Sequence, residues 1–137
     1  MWDPWLAPER ARQLGVEQVE LDELIANADF ATIHLLKTPD SVNLIDDDLL
    51  AKAKPGLRIV NCGRGGIIDE AALLRAIESG QVGGAALDVF DSEPNTDSPL
   101  FEQRTVVATP HLSASTPEAQ DKAGVMIAEQ VLSLIHI

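Results

Sequence analysis

The chain has 137 residues, 45% of them apolar, which fits one domain around a single core. Its 22 acidic and 10 basic residues give a formal net charge of −12, which argues against binding to nucleic acid or to an anionic membrane surface. Its one cysteine, Cys62, excludes an internal disulfide. No apolar stretch reaches the roughly 18–20 residues of a membrane span, and no secretory leader pattern opens the chain, so we expect a cytoplasmic protein.

The first third of the chain alternates helix and strand signals. Helix-forming residues 6–14 end at Gly15, where a helix stop is expected. Residues 16–19 form a short strand candidate and residues 22–26 a short helical turn. Residues 30–35 form a β-rich apolar run of strand length.

The alternation continues through the middle of the chain. Acidic residues open a predicted helix over residues 46–53, where the helix dipole favours them. Residues 57–61 follow as a strand. Residues 69–79 carry apolar side chains at helical spacing and end at Gly80, which predicts a second helix, and residues 84–89 form a buried strand candidate.

The last third contains an irregular stretch, a strand and a helix. Residues 90–103 are irregular, residues 105–108 form a strand candidate, and a helix is predicted from residues 116–118 to about residue 131. Apolar strands that alternate with helices indicate a parallel sheet covered on both faces. The sequence therefore predicts an α/β fold with a doubly wound parallel sheet, whose ligands bind at the carboxyl ends of the strands.

A glycine-rich segment, residues 61–66, follows a predicted strand and precedes a predicted helix. Its glycines let the backbone approach a ligand closely, and Arg64 offers a planar guanidinium to a carboxylate. An ordinary glycine turn with a solvent-exposed arginine explains the same pattern equally well.

Acidic residues and a histidine follow the last two predicted strands. Asp88 closes an apolar strand, where an unpartnered acid is costly, so we expect it to be hydrogen-bonded or to contact a ligand. Glu93 fits either a site or a polar turn before Pro94. A single histidine is more often structural than catalytic, but His111 follows a strand, as Arg64 and Glu93 do, so the three could converge.

The other candidate residues have simpler interpretations. His34 fits a core or strand-end histidine, and Cys62, with no base beside it in sequence, fits a small buried residue. One cysteine and no histidine pair at ligand spacing predict no metal site. Asp3 fits the acid that binds ribose in a dinucleotide-binding unit only if a GxGxxG unit precedes it, and the chain contains no GxGxxG.

Four segments together resemble the NAD-binding domain of the D-isomer-specific 2-hydroxyacid dehydrogenases. They are WDPW at residues 2–5, NADFATIHLLKTPDSVNLI at 27–45, NCGRGGIIDEAALLRAIESGQVGGAALDVFDSEP at 61–94 and TDSPLFEQRTVVATPHLSASTPEAQDKAG at 96–124. The last segment is similar to the family branch that oxidises 3-phosphoglycerate, more than to the lactate, formate or glyoxylate branches. The resemblance implies a Rossmann-like fold, NAD as the cofactor and a small 2-hydroxy acid as the substrate.

The resemblance also implies roles for individual residues. Arg64 would bind the substrate's carboxylate and carbonyl, and Glu93 would orient His111, which takes the hydroxyl proton while hydride leaves for the nicotinamide. Asp3 would hold the adenosine ribose and favour NAD over NADP, and Asp88 would bind the nicotinamide carboxamide. The residues implied to line the cofactor cleft are Leu35, Cys62, Gly63, Arg64, His111, Leu112, Ser113 and Ala114.

The chain departs from the family pattern in several places. Leu36 stands where proline is usual and Ser113 where glycine is usual, and we expect these changes to affect cofactor affinity more than reaction type. Residues 1–131 correspond to a dinucleotide-binding domain without its first βα unit, with the substrate domain absent. Residues 132–137 do not match the family and are predicted to be a non-native tail. We therefore expect the 137 residues alone to bind NAD weakly or not at all.

Three functions remain open at this stage. The resemblance favours NAD-dependent oxidation of 3-phospho-D-glycerate to 3-phosphohydroxypyruvate, in serine synthesis, by an intact homo-oligomeric enzyme. One alternative is another D-2-hydroxyacid dehydrogenase, such as a glyoxylate/hydroxypyruvate reductase. A second alternative is an NAD-sensing binding module like the transcriptional corepressors that share this fold.

Overall fold

The computed structural model describes residues 1–112 and 114–135. Its helices are α1 (Pro8–Gln13), α2 (Leu21–Asn27), α3 (Asp47–Ala51), α4 (Glu70–Glu78) and α5 (Pro117–Ile135). Its strands are β1 (Phe30–Ile33), β2 (Leu57–Asn61), β3 (Val82–Leu87) and β4 (Val106–Ala108), and a short 3₁₀ helix covers Pro99–Glu102.

The four strands form one parallel sheet in the order β1–β2–β3–β4. The predicted α/β fold with a parallel sheet is therefore confirmed. All the strands end at the same edge of the sheet, because they run in one direction. The loops that follow β2, β3 and β4, which carry the predicted site residues, consequently leave the sheet on one side of the molecule.

One face of the sheet is packed and the other is open. Ile59 of β2 and Val82 of β3 are buried, and they belong to one core with Leu50 of α3 and Leu73 of α4. On the opposite face Phe30 remains 67% exposed and lies under the Arg58 guanidinium, 5.6 Å from the centre of its ring. A cavity of about 370 Å³ extends along this face from Phe30 and Arg58 to Val107.

The prediction that both faces are covered is thus wrong for the part of the chain that the structure describes. Parallel crossover connections are almost always right-handed. Strands that follow one another in sequential order therefore place their connecting helices on a single face. Periodicity along the chain indicates which helices and strands exist. Whether the helices cover one face of the sheet or both depends on the strand order, which is set by contacts between distant segments.

Two acidic caps fix the helices that pack against the sheet. The Asp46 side chain accepts a hydrogen bond from the Leu49 amide (2.9 Å) at the start of α3. The Asp69 side chain accepts from the Ala71 and Ala72 amides (2.9 and 3.0 Å) at the start of α4. The predicted acidic starts of these helices are therefore present, and Gly80 follows α4 as expected.

Other predicted boundaries differ from the structure. Residues 16–19 do not form a strand. Their contacts with Met1 are two bonds, from the Val19 amide to the Met1 carbonyl (2.9 Å) and from the Met1 amino group to the Glu17 carbonyl, which are too few for a strand ladder. Strand β3 begins earlier than predicted, at Val82, because its glycines pack rather than break it. A Cβ on Gly84 would lie 2.6 Å from the Thr105 carbonyl oxygen.

The last helix also runs further than expected. Helix α5 continues through residues 132–135 of the predicted non-native tail, whereas residues 136 and 137 lie outside the described residues. Every residue of α5 is exposed except Ala119, which is half-buried. Within the described ranges, no helix is both long and apolar enough to cross a membrane.

Candidate active site

Asn61, the last residue of β2, shapes the loop that carries Arg64. Its side chain is buried, donates to the Arg64 carbonyl (3.0 Å) and accepts from the Gly63 amide (3.1 Å). A side-chain amide can do both at once, because its nitrogen donates and its oxygen accepts. Sequence analysis did not single out Asn61, although a polar residue at the end of the apolar strand LRIVN was the available signal.

The loop of Arg64 lies directly against the turn that carries Glu93. A Cβ on Gly65 would lie 1.8 Å from the Phe90 carbonyl oxygen, so the two backbones touch with no side chain between them. The Arg64 guanidinium itself donates through Nη1 to the Gly63 carbonyl (2.8 Å) and is exposed. The structure therefore brings the Arg64 loop to the Glu93 turn and folds the guanidinium back onto its own loop.

Asp88 joins the end of β3 to the loop that follows β4. Its buried carboxylate accepts from the Thr109 hydroxyl (2.5 Å) and from the Leu112 amide (2.8 Å). Its own amide donates to the Asn61 carbonyl (2.9 Å). The expectation of a hydrogen-bonded acid is met, and the contacts show that this acid holds the segment on both sides of His111.

Glu93 and His111 are in direct contact. The distance from Glu93 Oε2 to His111 Nδ1 is 2.7 Å, and Glu93 Oε1 accepts from the Phe90 amide (2.9 Å). The hydrogen bond with His111, together with the Phe90 amide, holds the pKa of Glu93 below its usual value of 4.5. Because an ionised carboxylate only accepts, Nδ1 is the donor and Nε2 is left as the proton acceptor of the imidazole.

The backbone of His111 adopts an unusual conformation. Its φ angle is 56°, in the left-handed region that residues other than glycine seldom occupy and that is enriched at functional sites. Beside it lies a cavity of about 300 Å³. The cavity is lined by Phe90, Glu93, Pro94, Asn95, Pro110 and His111.

The other residues expected in the cofactor cleft are spread around the strand ends. Gly63 packs near the end of β1, where an added Cβ would lie 3.1 Å from the Ile33 carbonyl oxygen. Leu35 is half-buried against the core, whereas Leu112 and Ala114 are exposed, and Ser113 lies outside the described residues.

Two further sequence interpretations change. The predicted burial of Cys62 is wrong, because this residue follows β2 and is exposed. His34 likewise lies exposed at the end of β1, with its Nε2 2.9 Å from the Thr32 hydroxyl, so it is a strand-end histidine rather than a core one.

Asp3 belongs to a separate acidic cavity of about 560 Å³, lined also by Glu20 and Glu23. Asp3 Oδ1 accepts from the Trp5 amide (2.9 Å), and its carbonyl accepts from the Gln18 side chain (3.3 Å). Carboxylates suit the hydroxyls of a ribose and repel a phosphate. These residues fit the ribose end of a dinucleotide, and the glutamates were missed because their distance from Asp3 in sequence gives no sign of their proximity.

Comparisons with known proteins show the family of the chain. The family model described as D-isomer specific 2-hydroxyacid dehydrogenase, NAD binding domain, matches residues 1–113. The chain therefore belongs to the D-isomer-specific 2-hydroxyacid dehydrogenases. It is similar to the D-3-phosphoglycerate dehydrogenase of Mycobacterium tuberculosis H37Rv, with 59% identity over 95% of this chain and 25% of that protein. The D-3-phosphoglycerate dehydrogenase of Synechocystis is 54% identical over 98% of this chain and 24% of that protein.

Solved structures of the family share the fold. A glyoxylate reductase from Paecilomyes thermophila matches with a TM-score of 0.82 and 35% identity over 95% of this chain and 39% of that one. A protein from Pyrococcus horikoshii OT3 matches with a TM-score of 0.84 and 32% identity over 96% and 39%. The chain thus spans about a quarter of the length of the curated relatives named above.

Proposed function

We propose that a full-length protein carrying this chain catalyses the NAD-dependent oxidation of 3-phospho-D-glycerate to 3-phosphohydroxypyruvate. The observation that carries the proposal is the contact between Glu93 and His111 (2.7 Å), beside an apolar cavity at the carboxyl ends of the strands. The choice of substrate within the family rests on the similarity to enzymes named D-3-phosphoglycerate dehydrogenase.

His111 is the general base of the proposed reaction. Glu93 fixes the tautomer in which Nδ1 is protonated, so Nε2 accepts the proton of the substrate hydroxyl. Glu93 stays ionised and stabilises the imidazolium that forms. Nicotinamide, when bound, supplies the acceptor for the hydride.

Arg64 is the proposed anchor of the substrate. Its guanidinium can leave the Gly63 carbonyl and form two parallel hydrogen bonds with the substrate's carboxylate. The backbone contact at Gly65 keeps that anchor next to the turn of Glu93. Asp88 holds the segment of His111 at the same edge, next to the expected site of the carboxamide.

The acidic cavity of Asp3, Glu20 and Glu23 supports NAD as the cofactor. Three carboxylates around the expected ribose site would repel the 2′-phosphate of NADP. The 137 residues contain no GxGxxG phosphate loop, so in this proposal the diphosphate is bound by residues outside this sequence.

A substrate panel tests the proposal. The full-length protein is assayed with NAD and NADP on 3-phospho-D-glycerate, D-glycerate, glycolate and D-lactate. We expect the highest kcat/KM with 3-phospho-D-glycerate and NAD, and a loss of about 10²–10⁴-fold in His111→Asn. Asparagine tolerates the left-handed backbone at this position, so the fold is retained.

His34→Asn is the matched control, because it removes an exposed imidazole after β1, which lies at the opposite side of the sheet from β4. We expect it to keep wild-type activity. A higher kcat/KM with glycolate or D-glycerate than with 3-phospho-D-glycerate would instead assign the protein to the glyoxylate/hydroxypyruvate reductase branch of the family. Equal activity of His111→Asn and the wild type would exclude the proposed base.

We further propose that the full-length protein works in the cytoplasm as a homo-oligomer. The exposed thiol of Cys62, beside the site, is compatible with a reducing compartment. Cell fractionation and light scattering of the purified protein test these two statements.

A further inference from the structure

The turn that carries Glu93 is held by a residue of helix α4. Glu70, the first residue of α4, accepts a hydrogen bond through Oε1 from the Asp91 amide (2.7 Å). One residue earlier in the turn, the Phe90 amide donates to Glu93 Oε1 (2.9 Å). Two successive backbone amides therefore point at two different carboxylates, one from the helix and one from the proposed catalytic pair.

The peptide group between Phe90 and Asp91 is held at both ends. Its carbonyl oxygen lies against Gly65, where an added Cβ would approach to 1.8 Å. Its N–H is the group bound by Glu70. Because this peptide lies inside the turn from Phe90 to Glu93, a shift in its position would move the two ends of the turn relative to each other, and with them the hydrogen bond from the Phe90 amide to Glu93.

Helix α4 presents Glu70 from a fixed position. Asp69, the residue before it, caps the helix by accepting from the Ala71 and Ala72 amides. Glu70 is half-buried, and the helix behind it contributes the fully buried Leu73 to the core. The Glu70 carboxylate thus comes from a rigid element, as a residue that orients a neighbouring group should.

A second contact reaches the same turn but contributes little. Lys37 Nζ lies 3.0 Å from Asp91 Oδ1, and the two side chains are 42% and 69% exposed. Exposed ion pairs are weak and screened by salt. Lys37 also contacts the side chain of Asp91 and not its backbone, and that side chain can rotate without moving the peptide group.

We propose that Glu70 is a positioning residue for the Glu93–His111 pair, because it holds the Phe90–Asp91 peptide inside the turn in which the Phe90 amide donates to Glu93. The effect on turnover rests on the proposed function. The effect on the geometry of Glu93 does not, so it is measured separately.

The geometric effect is tested by NMR on this 137-residue chain. Glu70→Ala should speed hydrogen exchange of the Asp91 amide by roughly fivefold, the factor that corresponds to one net hydrogen bond. It should also raise the pKa of Glu93, followed by the ¹³C shift of its carboxyl. Glu70→Gln keeps an acceptor oxygen and should restore both values.

Glu78→Ala is the matched control, because it removes the same charge from the exposed end of the same helix. We expect it to leave both measurements unchanged. An unaltered Glu93 titration in Glu70→Ala would overturn the proposal, and so would a titration that responds to Lys37→Met and not to Glu70→Ala. If Glu70→Ala does not fold, hydrogen exchange of the Asp91 amide in the wild type decides instead. Exchange as fast as that of an amide without a hydrogen bond would overturn the proposal.

The catalytic effect is measured in the full-length protein. Glu70→Ala should lower kcat by roughly tenfold with little change in KM, well within the 10²–10⁴-fold that a general base supplies, and Glu70→Gln should recover it. A loss confined to KM would contradict a role through Glu93. If the wild type oxidises none of the hydroxy acids, the proposed function fails while the NMR result still decides the role of Glu70.

Discussion

Glu93 uses its two carboxylate oxygens for two different tasks. Oε2 contacts the imidazole of His111, and Oε1 takes the Phe90 amide. Both hydrogen bonds favour the ionised carboxyl, and they lower its pKa. The negative charge of Glu93 beside His111 is therefore present throughout the neutral and mildly acidic range.

This lowered pKa predicts how stability depends on pH. A carboxyl whose pKa is lower in the folded state stabilises the fold above its unfolded pKa, and this contribution disappears as the pH falls through the folded pKa. Glu93→Gln should therefore cost about 1 kcal/mol or less at pH 5, since the pair is partly exposed, and nothing once the pH is well below 4.5. Urea unfolding of both proteins at several pH values between 5 and 2 measures the difference.

Glu102→Gln serves as the control for this series, because Glu102 is an exposed acid at the end of the 3₁₀ helix. We expect its effect on the free energy of unfolding to be the same at each pH. A Glu93→Gln difference that grows toward acid pH would mean that the carboxyl is not stabilised in its ionised form.

At the scale of elements, helix α4 supports both the core and the site. Its first residues fix the helix start through Asp69 and the site turn through Glu70. Its interior face places Ala72, Leu73 and Ala76 in the core. Substitutions at the start of α4 should therefore change both the geometry of the turn that carries Glu93 and the stability of the fold.

The cap of α4 gives a prediction about stability. Asp69→Ala removes the acceptor of two amides and should lower the free energy of unfolding by about 1 kcal/mol, the usual cost of losing an N-cap. Asp69→Asn keeps a cap oxygen and should cost only a few tenths, from the lost interaction with the helix dipole. Denaturant unfolding of the two variants measures this, and equal losses would show that charge, not capping, is what Asp69 contributes.

Sequence analysis located the elements better than their arrangement. Alternating apolar runs and acidic helix starts predicted β2 and α4 almost to the residue, because these signals are local. The strand predicted at residues 16–19 is wrong, since a strand needs a partner of several residues, whereas the two bonds of this kind here both join the segment to one residue, Met1. The open face of the sheet was missed for a similar reason, because strand order is a long-range property.

The site shows the same division. Arg64, Glu93 and His111 could be proposed from the sequence because they follow predicted strands and match family segments. Asn61 bonds within its own loop, and its place at the end of β2 was an available signal, whereas the contact of Glu70 is with an amide 21 residues away that only folding brings close. A contact between residues so distant in sequence leaves no pattern in a single sequence, so it can be identified only from the structure.

At the scale of the whole molecule, the net charge of −12 acts against compaction. The favourable ion pairs do not offset it strongly, since their side chains are 35–72% exposed. Added salt should therefore weaken the repulsion among the excess acidic residues more than it weakens the attraction within the ion pairs.

This balance predicts that salt stabilises the chain. Raising NaCl from about 10 mM to 150 mM shortens the Debye length from about 30 to 8 Å, and the melting temperature should rise by about 3 °C, the effect of ~1 kcal/mol in a domain of this size. Calorimetry at constant pH measures the change. A lower melting temperature in salt would mean that the ion pairs outweigh the repulsion.

The backbone contact between Gly65 and Phe90 has a consequence for motion. Two of the three segments around the site, those of Arg64 and Glu93, meet without an intervening side chain, so they travel together as one unit. The third segment, with His111, is tied by hydrogen bonds alone, from a hydroxyl and an amide to Asp88 and from the imidazole to Glu93, and these bonds can break and re-form. When a ligand enters or leaves the cleft, we expect the segment of His111 to move and the segments of Arg64 and Glu93 to keep their positions.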